Sequence, residues 1–351
     1  MKVSEPGAPA GALQRSSEAA HSIAAGQRVQ AVTARAGQAR APFVRDHASA
    51  APRQCAAMPP PPVPPAPSAR SVAPGGAGRP AQAVQPLAAL PAAALAQVAG
   101  VFTDIDDTLT KDGAIDPPAL VALHALHAAG VPVVAITGRP LGWSEPFVRP
   151  LPEGWPLRAI VAENGAVALV RDGDAVRTEY VQDAATREHN ARRLRAAAAR
   201  VLREVPGTAL AQDSPGRVTD IAIDHSEFAR LDETTIARVV EVMRAEGLNA
   251  TVSSIHVNGW FGDHTKLSAA HWMLRRLFGR ELAAEIDRWV YVGDSTNDQA
   301  MFEAFPLSVG VANLRRFAAQ LRCWPAYLTE GERGEGFAEL ARALLAARRP
   351  A

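Results

Sequence analysis

The sequence predicts an α/β protein: a doubly wound core of parallel strands with an α+β domain inserted into it. Two observations carry the prediction. From residue 100 onward, five short apolar runs each end in a polar or small-residue cluster, with amphipathic stretches between them. Near-continuous runs of Val, Ile and Ala of this kind are the signature of strands buried on both faces of a parallel sheet. Residues 166–262 then break the rhythm with their own alternating strands and two helical patterns, which fits a small domain set into the first.

The runs are VFTDID (101–106), VPVVAITGR (131–139), AIVAENG (159–165), WVYVGDS (289–295) and LSVGVAN (307–313). Between the first two, Asp116 and Pro117 read as N-cap and first helical position, Leu120 and Leu123 as an apolar face, and Gly130 as the residue past the helix end. Leu267, Ala270, Leu274 and Leu277 share one face of a second helix over 266–278, stopped by Gly279. The sheet-forming core is expected over 96–165 and 263–351. Within the insertion, RVTDIAIDH and NATVSSIHVN read as strands, with helices near 184–204 and 233–246.

Residues 1–95 differ in kind, being dominated by Ala, Pro, Arg, Gly and Ser, as in MPPPPVPPAP at 58–67. Such a segment has too little apolar surface to offset the entropy of ordering, so disorder is expected there. It also holds nine Lys or Arg against three acids, which leaves the rest of the chain mildly acidic although the whole carries a formal net charge of +1. That balance gives no support for a nucleic-acid or anionic-membrane partner. No apolar run approaches the ~20 residues of a membrane-spanning helix. The two cysteines, Cys55 and Cys323, suggest neither a disulfide framework nor a thiolate metal cluster, and a reducing cytoplasm is the plain expectation.

Chemistry concentrates at the run ends. In an extended chain Asp104 and Asp106 point the same way and Asp107 the other, so two carboxylates meet at the end of the first strand. Like charges so close resist joint ionisation unless a cation offsets them. A calcium loop would need Gly where Leu109 stands and a bidentate Glu where Ile115 stands. Thr137, with the Gly138 amide, suits a phosphate oxygen, whereas Arg139 reads as a surface or helix-start residue. Lys266 in a first helical turn opposes the helix dipole unless an anion lies nearby. Gly293 permits a turn, Asp294 suits a hard cation, and Asn297 with Asp298 suits its waters or the orientation of Lys266.

Asp104-Ile105-Asp106-Asp107-Thr108-Leu109, Thr137, Lys266 and Gly293-Asp294-Ser295-Thr296-Asn297-Asp298 together resemble the four ordered motifs of the haloacid dehalogenase superfamily. The long interval from Thr137 to Lys266, and AENGAV at 162–167, resemble the class with a type-two cap, group IIB, which includes Cof-like and sugar-phosphate phosphatases. The resemblance implies that Asp104 is the nucleophile that becomes an aspartyl phosphate and Asp106 the general acid and base. It implies Mg²⁺ held by Asp104, the Asp106 carbonyl and Asp294, phosphoryl oxygens bound by Thr137 and Lys266, and a small phosphorylated metabolite, a sugar phosphate, as substrate. Within the cap, His256 and Asn258 lie closest in sequence to the site and are the favoured substrate contacts. Rival readings are a phosphomutase of the same fold, a receiver-like phosphoacceptor and a silent binding protein. The Asp-x-Asp pair and the insertion argue against the receiver, and the complete motif set against the binding protein.

Overall fold

The computed structural model describes residues 80–348. The chain forms β1 (Gln85–Pro86), α1 (Ala92–Ala96), β2 (Gly100–Thr103), a small hairpin of β3 (Thr110–Lys111) and β4 (Ala114–Ile115), α2 (Pro117–Ala128), β5 (Val133–Ile136), α3 (Leu141–Ser144) and β6 (Ala159–Ala162). Next come β7 (Val167–Asp172), β8 (Ala175–Tyr180), α4 (Ala184–Glu204), β9 (Asp220–Asp224), α5 (Glu233–Ala245), β10 (Asn249–Val252), β11 (His256–Trp260) and α6 (Lys266–Phe278). They are followed by β12 (Trp289–Gly293), α7 (Gln299–Ala304), β13 (Leu307–Gly310), β14 (Tyr327–Leu328) and α8 (Arg333–Ala347).

The five apolar runs become β2, β5, β6, β12 and β13, which lie side by side in the order β13-β12-β2-β5-β6, all parallel. Alternate residues enter different cores. Val101, Val133, Val290 and Val292 pack with Leu123 and Leu126 of α2 and Phe337 and Leu344 of α8. Phe102, Val134, Trp289 and Tyr291 pack with Ala270 and Leu274 of α6 and Phe302 of α7. Helices thus cover both faces, as expected of a doubly wound sheet. The chain runs outward from β2 through β5 and β6, then restarts on the opposite side of β2 with β12. A reversal of this kind opens a crevice beyond the carboxyl ends of the two strands.

Two expectations are corrected at the sheet's edges. Residues 80–95 are ordered, not disordered. Leu87, Leu90 and Leu95 are buried in the core, and β1 pairs in parallel with β14. Three leucines in an Ala- and Pro-rich background are enough to fasten this stretch to the sheet edge. The earlier residues of that extension, Cys55 among them, lie outside the described residues. At the other edge β7 and β8 pair antiparallel with the main sheet, because Val167, Ala168, Leu169 and Val170 are buried beside β6. The separate layer therefore begins with α4 and not at residue 166.

That layer is an antiparallel sheet, β10-β11-β9, carrying α4 and α5 on one face. Asp183 and Asp232 cap the two helices by accepting hydrogen bonds from the Thr186 and Thr235 amides. Leu194, Val201, Val239, Val242 and Met243 pack on Ile223 and Val257. Residues 249–258 do not form one strand. Ser253 turns the chain into a hairpin, its amide donating to the His256 carbonyl at 2.9 Å and its hydroxyl accepting from the His256 amide at 3.0 Å.

Candidate active site

β2 and β12 end side by side, and their final peptides set the site. The Asp104 amide continues the ladder by donating to the Val292 carbonyl at 2.9 Å, which brings Asp104 level with the Gly293-Asp294 turn. A Cβ on Gly293 would lie 2.4 Å from the Asp298 carboxylate, so only glycine lets Asp298 fold back beneath the turn. There one Asp298 oxygen accepts from the Asp294 and Ser295 amides at 3.0 and 3.1 Å, and the other accepts from the Tyr291 hydroxyl.

Lys266 enters from the first turn of α6, beside a capping box of Thr265 and Ser268. Its ammonium lies 2.9 Å from Asp104 and 2.7 Å from Asp298, with the Asn297 amide oxygen at 3.4 Å. The cost of a cation at a helix start is outweighed by two buried carboxylates. Burial disfavours the charged lysine, but Asp104 and Asp298 more than compensate and hold its proton above the usual lysine range.

Negative charge still exceeds positive. Burial first, then Asp298 and Asp106, raise Asp104 to about 7 against the pull of Lys266. Burial, Asp104 and Asp298 raise Asp294 well above the carboxylate range. Carboxylate oxygens of Asp104, Asp294 and Asp298 lie within 4.8 Å of one another. Asp294 Oδ2 accepts from Arg316 at 2.9 Å and Asn313 at 3.3 Å, whereas its Oδ1 is buried with no hydrogen-bond partner among the described residues. An orphaned carboxylate oxygen facing other carboxylates fits a hard divalent cation.

The remaining expected residues fall into two groups. Thr137 follows β5 at the same edge of the sheet, and its hydroxyl accepts from the Arg139 amide at 3.0 Å, leaving its proton to donate elsewhere. Gly138 follows, and its carbonyl accepts from Arg217 at 3.0 Å and Asn258 at 3.3 Å. Asp107, at φ 53°, turns away, and its carboxylate accepts from Arg316 at 2.6 Å and Arg333 at 2.9 Å. Asn297 sits beside Lys266, with its side-chain oxygen also accepting from the Ser295 hydroxyl at 2.9 Å.

His256 and Asn258 do not open into the cleft. They lie on β11, the central strand of the small sheet, and are buried, with His256 Nε2 and the Asn258 amide nitrogen engaged by protein groups. His256 Nε2 meets Glu227 at 2.9 Å, and Asn258 donates to Asp220 at 3.1 Å as well as to Gly138. His256 thereby braces Glu227 within the small layer, while Asn258 ties that layer to the core. Glu163, in the AENG stretch, does the same: its carboxylate accepts from the Leu141, Val218 and Thr219 amides at 3.1, 3.1 and 2.6 Å.

Arg139 is the largest departure from expectation. Only 4% exposed, it bonds Asp106, Asp213 and Glu227 and lies over the Trp143 ring at 4.9 Å. A cleft of about 1610 Å³ opens between the core and the small layer, lined by Asp106, Arg139, Glu227, Phe228 and Arg316 among others.

Residues 101–192 match the family model described as haloacid dehalogenase-like hydrolase. That stretch of the chain is similar to members of that family. No curated protein sequence matches it significantly. Solved structures of similar fold include a Thermoplasma acidophilum protein, 16% identical over 71% of this chain and 98% of that one, with a TM-score of 0.54. The sucrose-phosphatase of a Synechocystis species, solved with sucrose and phosphate, is 16% identical over 71% and 98% of the two chains, at a TM-score of 0.51. A HAD/Cof-like hydrolase from Plasmodium vivax is 19% identical over 72% and 98%, also at 0.51. In this chain the three-stranded layer occupies the interval between Thr137 and Lys266. Among the described residues no helix is long and apolar enough to cross a membrane.

Proposed function

We propose that the protein is a phosphomonoester hydrolase working through an aspartyl phosphate on Asp104. The observation that carries this is the meeting of the Asp104 carboxylate, the Lys266 ammonium and the unpartnered Asp294 oxygen at the ends of adjacent parallel strands, two residues from Asp106. A buried carboxylate with a cation 2.9 Å away is a nucleophile beside an oxyanion site.

Asp104 attacks phosphorus in line and the P–O bond to the alcohol breaks. Asp106 gives its proton to the departing oxygen. Asp106 then takes a proton from water, which attacks the aspartyl phosphate, releasing inorganic phosphate and restoring Asp104. Lys266 and the free Thr137 proton hold phosphoryl oxygens through both halves. Asp104, Asp294 and the Asp106 carbonyl would hold Mg²⁺, which would neutralise charge on the transferring group. Asn297 and Asp298 orient Lys266.

The layer from α4 to β11 serves as the cap, covering the cleft and excluding bulk water. A small sugar phosphate is the proposed substrate class, supported by the size of the cleft and by the sucrose-phosphatase of similar fold. The free, buried thiol of Cys323 is in keeping with a reducing cytoplasm.

The test is phosphate release from a panel of phosphorylated sugars and p-nitrophenyl phosphate, without any bisphosphate activator. Turnover is expected to stop with EDTA and return with Mg²⁺, and Asp104→Asn to abolish it in a folded protein. Undiminished turnover by Asp104→Asn would remove Asp104 as the nucleophile.

A further inference from the structure

The phosphoryl-transfer reading assigns no task to Arg139, yet its guanidinium is bound on every nitrogen. Nε donates to both Asp106 oxygens at 3.0 Å, and Nη2 approaches Asp106 at 2.9 Å. Nη2 also donates to Glu227 at 2.7 Å, and Nη1 to Glu227 at 3.2 Å and Asp213 at 3.1 Å. Four of the five guanidinium protons are thereby donated in hydrogen bonds, and the nitrogen that carries the fifth already lies against Asp106.

The three carboxylates come from different parts of the fold. Asp106 follows β2 in the core. Asp213 lies between α4 and β9, and Glu227 between β9 and α5, both in the cap. Neither cap carboxylate is loose. Asp213 accepts from Arg217 at 3.0 Å, and Glu227 is gripped by His256 at 2.9 Å. The Glu227 loop is itself pinned, the Asp224 carboxylate accepting from the amides of Glu227 and Phe228 at 2.9 Å each. The other end of Arg139 is equally fixed, since its amide donates to the Thr137 hydroxyl and its carbonyl accepts from Glu163 at 2.9 Å.

We propose that Arg139 is a positioning residue that makes the aim of Asp106 depend on the docked cap. With Asp213 and Glu227 in place, the guanidinium plane is fixed by the cap, and through its Nε and Nη2 edge so is the Asp106 carboxylate. When the cap lifts, Arg139 loses two of its three partners and Asp106 loses its fixed orientation toward the leaving oxygen. Chemistry is thereby confined to the closed cleft. The inference rests on the phosphomonoesterase reading, in which Asp106 serves the leaving oxygen.

Two esters of similar size separate this role from a merely structural one. Phenolate needs a proton to leave, whereas p-nitrophenolate leaves without one. In Arg139→Lys, whose single ammonium cannot span three carboxylates, kcat on phenyl phosphate is expected to fall about 100-fold. On p-nitrophenyl phosphate the fall is expected to be less than about 10-fold, with KM nearly unchanged on both. Glu227→Gln and Asp213→Asn, isosteric changes at the cap end, are expected to shift the ratio of the two rates in the same direction by about 3- to 10-fold. Equal losses on both esters, or a wild-type ratio in both cap variants, would overturn the inference. The cap variants decide the matter even if Arg139→Lys does not fold. Failure of the wild-type protein to hydrolyse either ester would instead sink the phosphomonoesterase reading on which the inference stands.

Discussion

Replacing Asp298 tests whether one buried carboxylate organises the end of β12. The carboxylate is fully buried and accepts from Lys266, the Tyr291 hydroxyl and the Asp294 and Ser295 amides. Asp298→Ala leaves two buried amides and one hydroxyl without an acceptor and strips Lys266 of its nearer counter-ion. Each orphaned polar group costs about 1–3 kcal/mol, and removing one partner of a buried pair about 3–5 kcal/mol. Because these counts overlap, the expected loss is about 4 kcal/mol, or roughly 8–16 °C in melting temperature at the usual ~2–4 °C per kcal/mol for a domain of this size. Asp298→Asn keeps an oxygen for the two amides but turns an uncharged group toward Lys266, so about half that loss is expected. Thermal unfolding followed by circular dichroism, in EDTA so that no metal contributes, measures both. Activity of the asparagine variant is expected to fall about 10- to 100-fold, as for other residues that orient active groups. Melting of Asp298→Ala within about 2 °C of wild type, or equal losses for the two variants, would refute the reasoning.

Three further outcomes follow from the packing and charge. Leu95→Ala is expected to cost about 2–4 kcal/mol in urea unfolding, and a chain beginning at residue 97 to melt lower than one beginning at residue 80. Gly293→Ala is expected to push Asp298 off the turn, costing about 1–3 kcal/mol of stability and most of the activity. For Glu227, burial alone would raise the carboxyl, but His256 and Arg139 outweigh it and hold it at about 2 against an ordinary 4.5. Its folded value is depressed, so its stabilisation is fully present above pH 4.5 and is lost as pH falls toward 2. The melting gap between wild type and Glu227→Gln is therefore expected to be widest above that window and to close within it; a gap that widens on acidification would contradict the pairing.

Much of this was legible in the sequence because it is set over short distances. Short Val- and Ile-rich runs bounded by turn residues favour buried strands, and a strand's end fixes which of Asp104, Asp106 and Asp107 face together. The order of motifs around Thr137, Lys266 and Asp294 likewise needs only chain order, since parallel strands bring all their carboxyl ends to one edge. Local composition misled where a few residues outweighed many, as with Leu87, Leu90 and Leu95 in an Ala- and Pro-rich stretch. It also misled at 167–180, where a strand pair sits beside β6 and not in the smaller sheet, because edge pairing depends on which neighbour has a free ladder. What only the tertiary structure decided is the environment of long polar side chains. Arg139 follows a strand in the same way as a surface residue would, and it is buried because Asp213 and Glu227, 74 and 88 positions away, close over it. His256 and Asn258 alternate correctly for a cleft, yet both are buried, with His256 Nε2 held by Glu227 and the Asn258 amide nitrogen by Asp220 and the Gly138 carbonyl. Spacing along the chain sets where a side chain starts; the charges that distant segments bring to meet it set where it ends.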